Sequence, residues 1–337
     1  MTMHRETPPE SPSQSESEAI LNILREQGFP PLDSADVPQL RLLIGQLRQA
    51  QGVAEPVAQV RHTFVRGPAG LLPVRVYQPR PRPGPRPLLV FFHGGGWAAG
   101  DVDLVDRPLR RLANETGAVV ASAGYRLAPE TQFPGPLLDA HAALRALAAR
   151  AAEFGADPGH LIVAGESAGA NLAAATCRRA LQEGGPRPAL QILICPPLAP
   201  ARHTPFASYR EKADGYVNTR AAMERFWDLY VPDADTARSP LAAPLLADDF
   251  SGLPPALVLT AEHDPLRDEA EEYARRLDLD RVPATVSRIP GALHIFFLLP
   301  HLTAFRTALL DIGRAIRAHP PNGPASHPGS RHDATAS

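Results

Sequence analysis

Cysteine is scarce in this chain: two in 337 residues. Cys177 falls in an expected helix and Cys195 at the end of an expected strand, so both read as buried free thiols rather than a disulfide or a metal pair. An excess of basic charge is also missing. Lys and Arg total 34 against 36 Asp and Glu, a formal net charge of −2. The basic residues are mostly scattered Arg, several of them in the Pro-rich loop 78–87 (QPRPRPGPRP), which excludes the basic footprint of a nucleic-acid binder. No apolar run approaches the ~20 residues of a membrane span. No secretory apolar region follows Met1, since residues 2–18 are polar and rich in Ser, Glu and Pro. These absences point to a soluble, cytoplasmic protein. There is no internal repeat, and no Gly-Lys-Ser/Thr to make a phosphate-binding P-loop.

What is present suits one large α/β domain with a lid. Hydrophobic residues make up 44% of the chain, enough for a sizeable core. Residues 1–14 and 318–337 are polar, Pro-rich and without period, and are expected to be disordered. Residues 15–55 read as two cap helices. The first covers 15–28, with Ser15 and Glu18 spaced as a capping box and Gly28, Pro30 and Pro31 as its stop. The second covers 37–51, where Leu40, Leu43, Ile44 and Leu47 follow the i, i+3, i+4, i+7 rule. Neither can bury its apolar stripe alone, so both must lie on something.

From residue 56 to 317 the pattern is that of a catalytic α/β domain. Val60, His62 and Phe64 alternate with polar positions, as do Leu72, Val74 and Val76; Gly67-Pro68-Ala69-Gly70 between them predicts a hairpin. Apolar strands follow at 88–92, 118–122, 161–164, 190–195, 256–260 and 285–289, separated by helical stretches at 105–116, 136–154, 168–183, 266–278 and 299–317. Buried strands alternating with helices imply a mostly parallel sheet covered on both faces. Residues 198–250 break the alternation. The connection is too long for an ordinary loop, its stretch Arg220–Tyr230 looks helical, and it is rich in aromatics. It reads as a cap insertion that joins the N-terminal helices above the sheet.

One serine stands out within that pattern. In Gly165-Glu166-Ser167-Ala168-Gly169 it follows an apolar strand and opens a helix, the context of a nucleophile elbow. Flanking glycines leave room for a tight turn, and the Ala168 amide points from the helix N-terminus into the same space. A helix N-cap serine is the plainer reading of the same residue. Phe91-Phe92-His93-Gly94-Gly95-Gly96-Trp97 places three glycines directly after a buried strand, where bare amides can approach an oxyanion. A serine hydroxyl needs a base, itself held by an acid, and the chain order on this fold is Ser, acid, His. Asp264 follows the strand at 256–260, with Glu262 and Asp268 as rival acids. Asp264-Pro265 also has the form of a helix N-cap, a use that competes with catalysis. His294 follows the last strand and the turn Pro290-Gly291. His301 follows it too, inside the helical stretch, and His263 sits beside the acid.

Taken together, His93-Gly94-Gly95-Gly96-Trp97, Tyr125-Arg126-Leu127-Ala128-Pro129-Glu130, Gly165-Glu166-Ser167-Ala168-Gly169-Ala170-Asn171 and Asp264-Pro265-Leu266-Arg267-Asp268-Glu269 resemble the bacterial hormone-sensitive-lipase-like esterases over residues 56–317. The resemblance implies an α/β-hydrolase with a helical cap, hydrolysis of short- to medium-chain carboxylic esters, no cofactor and no metal. It makes Ser167, Asp264 and His294 the triad and the amides of Gly95, Gly96 and Ala168 the oxyanion hole. Trp97, Phe206, Tyr216 and Ile295 are the candidates for substrate contact. Members of the family often pair, which suggests a homodimer. Two departures mark the pocket: Ile295 stands where Gly usually follows the catalytic His, and Cys195-Pro196-Pro197 stands where Tyr-Pro is usual. The same residues would serve a lactonase or an acyltransferase. Plant gibberellin receptors also resemble this family and bind a small molecule without hydrolysis, but in them the triad His is replaced.

Overall fold

A computed structural model describes residues 12–214 and 216–321. Most of both expected tails therefore lies outside the described residues. The parts within them are ordered otherwise than expected: residues 12–14 open the first helix and Ala318 closes the last.

In chain order the elements are α1 (Pro12–Glu26), α2 (Val37–Gln46), β1 (Gln59–Gly67), β2 (Gly70–Gln78), β3 (Pro87–Phe92), α3 (Asp106–Thr116), β4 (Val119–Ala123), α4 (Gly135–Ala149), β5 (Asp157–Glu166), α5 (Ala168–Glu183), β6 (Leu190–Ile194), the single turn α6 (Ser208–Glu211), α7 (Arg220–Tyr230), β7 (Ala256–His263), α8 (Arg267–Leu279), β8 (Ala284–Leu293) and α9 (Thr303–Ala318). The eight strands form one sheet in the order β1-β2-β4-β3-β5-β6-β7-β8. β2 runs antiparallel to both β1 and β4, and the remaining neighbours are parallel. β3, β4 and β6 are buried along their whole length, as strands covered on both faces must be. Over the sheet, α3 packs on α9 and α4 on α5.

Three local expectations are corrected. α1 starts at Pro12, so Ser15 lies inside it, and its hydroxyl donates to the Pro12 carbonyl instead of capping. The capping box belongs to α2: Asp36 accepts from the Gln39 amide, and the Gln39 side chain accepts from the Asp36 amide. In the hairpin, Leu72, Val74 and Val76 are buried as expected, but Phe64 is 58% exposed and Val65 faces the core. β1 is an edge strand, so its inner face is chosen by pairing: Val65 sits opposite Leu72. Pro290-Gly291 is not a turn after the last strand. It lies within β8, where Gly291 adopts φ 69° and donates its amide to Glu262 Oε2 at 2.6 Å. A side chain there would collide with the backbone of Gln14 in α1, which packs across β8.

The longer strands position the site. β5 ends at Glu166, β6 at Ile194, β7 at His263 and β8 at Leu293. Ser167, Cys195, Asp264 and His294 are thus the first residues beyond four neighbouring strands. His263 pairs with Leu293 across β7 and β8, so Asp264 and His294 emerge side by side. This is the carboxyl edge of the sheet, where open α/β folds bind ligands.

Candidate active site

Ser167 turns the chain from β5 into α5 with φ 52° and ψ −124°. Two glycines permit the turn. A Cβ on Gly165 would lie 2.2 Å from the Gly169 carbonyl oxygen, and one on Gly169 would lie 2.0 Å from that of Phe92. The Ser167 amide donates to the Ile194 carbonyl at 2.8 Å, which pins the corner to β6.

His294 Nε2 lies 3.0 Å from Ser167 Oγ, and its Nδ1 lies 2.7 Å from Asp264 Oδ2. Asp264 is fully buried and uses both oxygens: Oδ1 accepts from the Leu266 amide at 3.1 Å and from Asn218 Nδ2 at 3.3 Å. Turn formation and contact with the imidazole therefore do not compete, because each takes its own oxygen. α8 begins only at Arg267, so Pro265 precedes the helix. The rival acids are committed elsewhere, Glu262 to the Gly291 amide and Asp268 to Arg267 and the Ser208 amide. His301 is exposed in a turn ahead of α9 rather than inside it, and His263 stacks on Tyr216.

The glycine loop sits against Ser167. Gly95 and Gly96 have φ of 114° and 60°, which L residues rarely adopt. A Cβ on Gly96 would meet the Phe226 ring at 2.1 Å. His93 and Tyr125 brace the loop: their rings stack at 4.4 Å, and Tyr125 Oη donates to the His93 carbonyl at 2.8 Å. Arg126, in turn, is fixed to Asp139 through its amide and its guanidinium.

Over these groups lies a narrow cavity. Leu24, Phe29, Leu43 and Ile44 of the N-terminal segment form part of its wall, and Val217, Met223 and Phe226 of the long 198–250 connection form another. Its polar side chains are Glu166, Ser167, Asn218 and His294. Of the expected contact residues, Ile295 lines it. Trp97 does not: it is fully buried, stacked at 4.3 Å on Tyr230 of α7. Tyr216 faces a separate surface hollow, and Phe206 lies outside the wall. Gly95 and Gly96 line the cavity, whereas Ala168, directly after Ser167, is fully buried beside it. Glu166 and Asn218 were not anticipated. The signal for Glu166 was its place as the last residue of the strand before the serine.

The site is buried, and its charges respond. Burial alone would lower the affinity of His294 for a proton, but the charge and hydrogen bond of Asp264, with the charge of Glu166, raise it above the usual imidazole range. Burial pushes Glu166 up to about 7; Asp264 adds to the rise and His294 opposes it. Burial likewise pushes the Cys195 thiol well above its usual range. Cys195, Asp264 and His294 offer three donor atoms within 4.8 Å of one another. Two of those donors already face each other across a hydrogen bond, and a thiol held protonated is a poor ligand, so the set is ill suited to a metal. Among the described residues no helix is long and apolar enough to cross a membrane.

A family model for the α/β-hydrolase fold matches residues 89–298. The carboxylic ester hydrolase LipN of Mycobacterium tuberculosis is 39% identical over 264 residues, spanning 75% of this chain and 68% of its own length. Carboxylesterase NlhH of the same organism is 38% identical over 272 residues, 79% of this chain and 83% of its own. Among solved structures, the ester hydrolase EH1AB1 from the Lake Arreo metagenome, complexed with a bipyridine phosphonate derivative, superposes with a TM-score of 0.85 at 35% identity, covering 92% of this chain and 99% of that one.

Proposed function

The chain belongs to the hormone-sensitive-lipase-like family of α/β-hydrolase esterases, and from that premise we propose that it is a serine carboxylesterase working through Ser167, His294 and Asp264. The observation that carries this reading is the continuous hydrogen-bonded run of Ser167, His294 and Asp264 opening onto a mainly apolar cavity. Ser167 Oγ attacks the ester carbonyl carbon as its proton passes to His294 Nε2. Asp264 keeps the Nδ1–H tautomer in place and stabilises the imidazolium. The carbonyl oxygen gains negative charge and accepts from the amides of Gly95, Gly96 and Ala168, each such donor being worth ~10²–10³ in rate. Collapse expels the alcohol, which takes the proton from His294, and an acyl-serine remains. Water, deprotonated by His294, then releases the acid.

The wall supports short- to medium-chain substrates without charge. It is made largely of Leu, Phe, Ile, Val and Met side chains, with no Lys or Arg to pair with a charged acyl group. Residues 15–55 and 198–250 act as the cap: they close the cavity from above, exclude water and set chain preference more than chemistry. The family resemblance adds pairing into a homodimer, which light scattering reads directly.

A phosphonate or organophosphate probe and a panel of p-nitrophenyl esters test the reading. The wild-type protein should turn over acetate to octanoate esters, peaking within that range, and should form one adduct, on Ser167. Ser167→Ala should lose several orders of magnitude in kcat. An adduct mapped to any other residue would sink the assignment.

A further inference from the structure

We propose that Glu166 is a positioning residue of the reaction, a second carboxylate that supports His294 from its Nε2 side and props the glycine loop. The proposal rests on the serine-esterase reading above. Its geometry is independent of Asp264, which holds the opposite ring nitrogen. Glu166 Oε1 lies 4.0 Å from His294 Nε2, the atom that must receive the serine proton. Glu166 Oε2 is buried without a hydrogen-bond partner and lies against Gly94, where an added Cβ would come within 2.0 Å of it. The side chain is 2% exposed and lines the cavity. A carboxyl in such a place has a desolvation cost and no structural ion pair to offset it. A carboxylate facing the imidazole favours its protonated form, the form that grows as Ser167 attacks, so its charge assists the transition state more than the ground state.

The ionisable groups that act on Glu166 or feel its charge follow four other strands of the sheet. They are Tyr125 after β4, Cys195 after β6, Asp264 after β7 and His294 after β8. Burial keeps Tyr125 and Cys195 protonated and therefore neutral. Asp264 is of like charge. Among these groups His294 alone can become positive, so proton transfer from serine to histidine converts an isolated carboxylate into half of an ion pair. The Gly94 amide, which also favours the charged carboxylate, couples the same group to the glycine loop.

The sign of the pH effect follows. An ionised Glu166 raises the proton affinity of His294, so removing the charge lowers it. Glu166→Gln keeps the volume and loses the charge. With a short uncharged ester, kcat should fall roughly 10–100-fold with little change in KM. The acid limb of kcat/KM should move to lower pH by roughly one unit, because the base stays neutral further into acid. A slower enzyme with a wider acid range is an outcome that simple loss of packing does not produce. Glu166→Asp keeps a charge but withdraws it by one methylene, so its acid limb should fall between those of wild type and Glu166→Gln. Unchanged kcat and acid limb in Glu166→Gln would overturn the proposal. So would equal losses of kcat in Gln and Asp variants with the acid limb unmoved. If Glu166→Gln does not accumulate as folded protein, Glu166→Asp carries the test alone: a lowered kcat with an acid limb displaced toward lower pH supports the role, and wild-type values for both refute it. Phosphonate labelling of Ser167 in every variant keeps the two readings apart. A wild-type protein that labels and hydrolyses esters leaves the esterase reading standing whatever Glu166 does.

Discussion

Replacing Ser167 by alanine and by glycine separates the cost of the corner from the chemistry of the hydroxyl. Both variants remove Oγ and its contact with His294 Nε2, so they differ by a single Cβ. At an ordinary position alanine is the more stable of the two by ~0.5–1 kcal/mol, because glycine loses more backbone freedom on folding. Ser167 is not at an ordinary position. With φ 52° and ψ −124° it occupies a region that residues with a Cβ rarely populate, at a cost of ~1–3 kcal/mol. The second figure exceeds the first, so the usual ranking should invert. Glycine should be more stable than alanine by about 1–2 kcal/mol. The surroundings hold the corner in this shape: the Ser167 amide is bonded to Ile194, and Gly165 and Gly169 touch backbone with no room to relax. Urea unfolding of the two variants, followed by tryptophan fluorescence, reads the difference as a rise of a few tenths molar in the glycine midpoint at equal m. Neither variant should hydrolyse esters, so any difference between them is purely one of folding. An alanine variant equal to or more stable than the glycine one would refute the claim that the fold stores strain at this serine.

Asp264→Asn should cut kcat by roughly 10⁴ through the wrong imidazole tautomer, whereas Asp268→Asn, which breaks contacts to Arg267 and the Ser208 amide, should cost far less; steady-state kinetics that rank them the other way would overturn the assignment. Leu43→Trp fills the cavity from α2 without opening a hole, so its kcat/KM should fall for octanoate esters and change little for acetate; a uniform loss across chain length would mean that this wall does not touch the acyl or alcohol chain. Glu166 also makes stability depend on pH. Its folded value of about 7 stands above the ordinary carboxyl value of ~4.3. Its protonated form is therefore favoured in the fold, and the associated stability is present in acid and lost as pH rises through about 7. The unfolding free energy of Glu166→Gln minus that of wild type should accordingly climb by about 3 kcal/mol between roughly pH 4 and pH 8; a flat difference would contradict the burial argument.

How much of this was legible in the sequence depends on whether a contact is local. The buried strands of the sheet were readable because a parallel sheet asks for continuous apolar runs, and 88–92 is such a run. β1 was misread because an edge strand takes its inner face from its partner, and Val65 is chosen over Phe64 by its pairing with Leu72. The last two strands were read short because apolar patterning stops at Thr260 and Ile289, while backbone pairing continues through an irregular register to His263 and Leu293. That extension matters, because it delivers Asp264 and His294 to adjacent positions. The order Ser167, Asp264, His294 was readable along the chain, and hydrogen bonds join the three side chains in the fold. It could not say that Cys195 would stand between Ser167 and Asp264 at the sheet edge, since that follows from β6 lying between β5 and β7.

The cavity wall was the least legible part, for a reason that also bears on how the site works. The 198–250 connection is rich in aromatics, yet its Trp227 packs on Trp97 in the core, and Phe226 is the one aromatic it contributes to the cavity lining. Alternation and helical spacing report that a side chain is buried, not whether it is buried against protein or against a space. The distinction is made by Leu24 of α1, Ile44 of α2 and Met223 of α7 lining one cavity, and by Arg225 of α7 donating to the Asp33 carbonyl, 192 positions away. Asn218 shows the consequence: it belongs to the long connection, lines the cavity and also donates to Asp264. The same loop therefore touches both the cavity beside Ser167 and Asp264, the hydrogen-bond partner of His294. The placement of Asn218 bears on geometry at His294 as well as on the shape of the pocket, so substitutions at Asn218 should perturb kcat together with KM, where the apolar part of the wall should move KM alone.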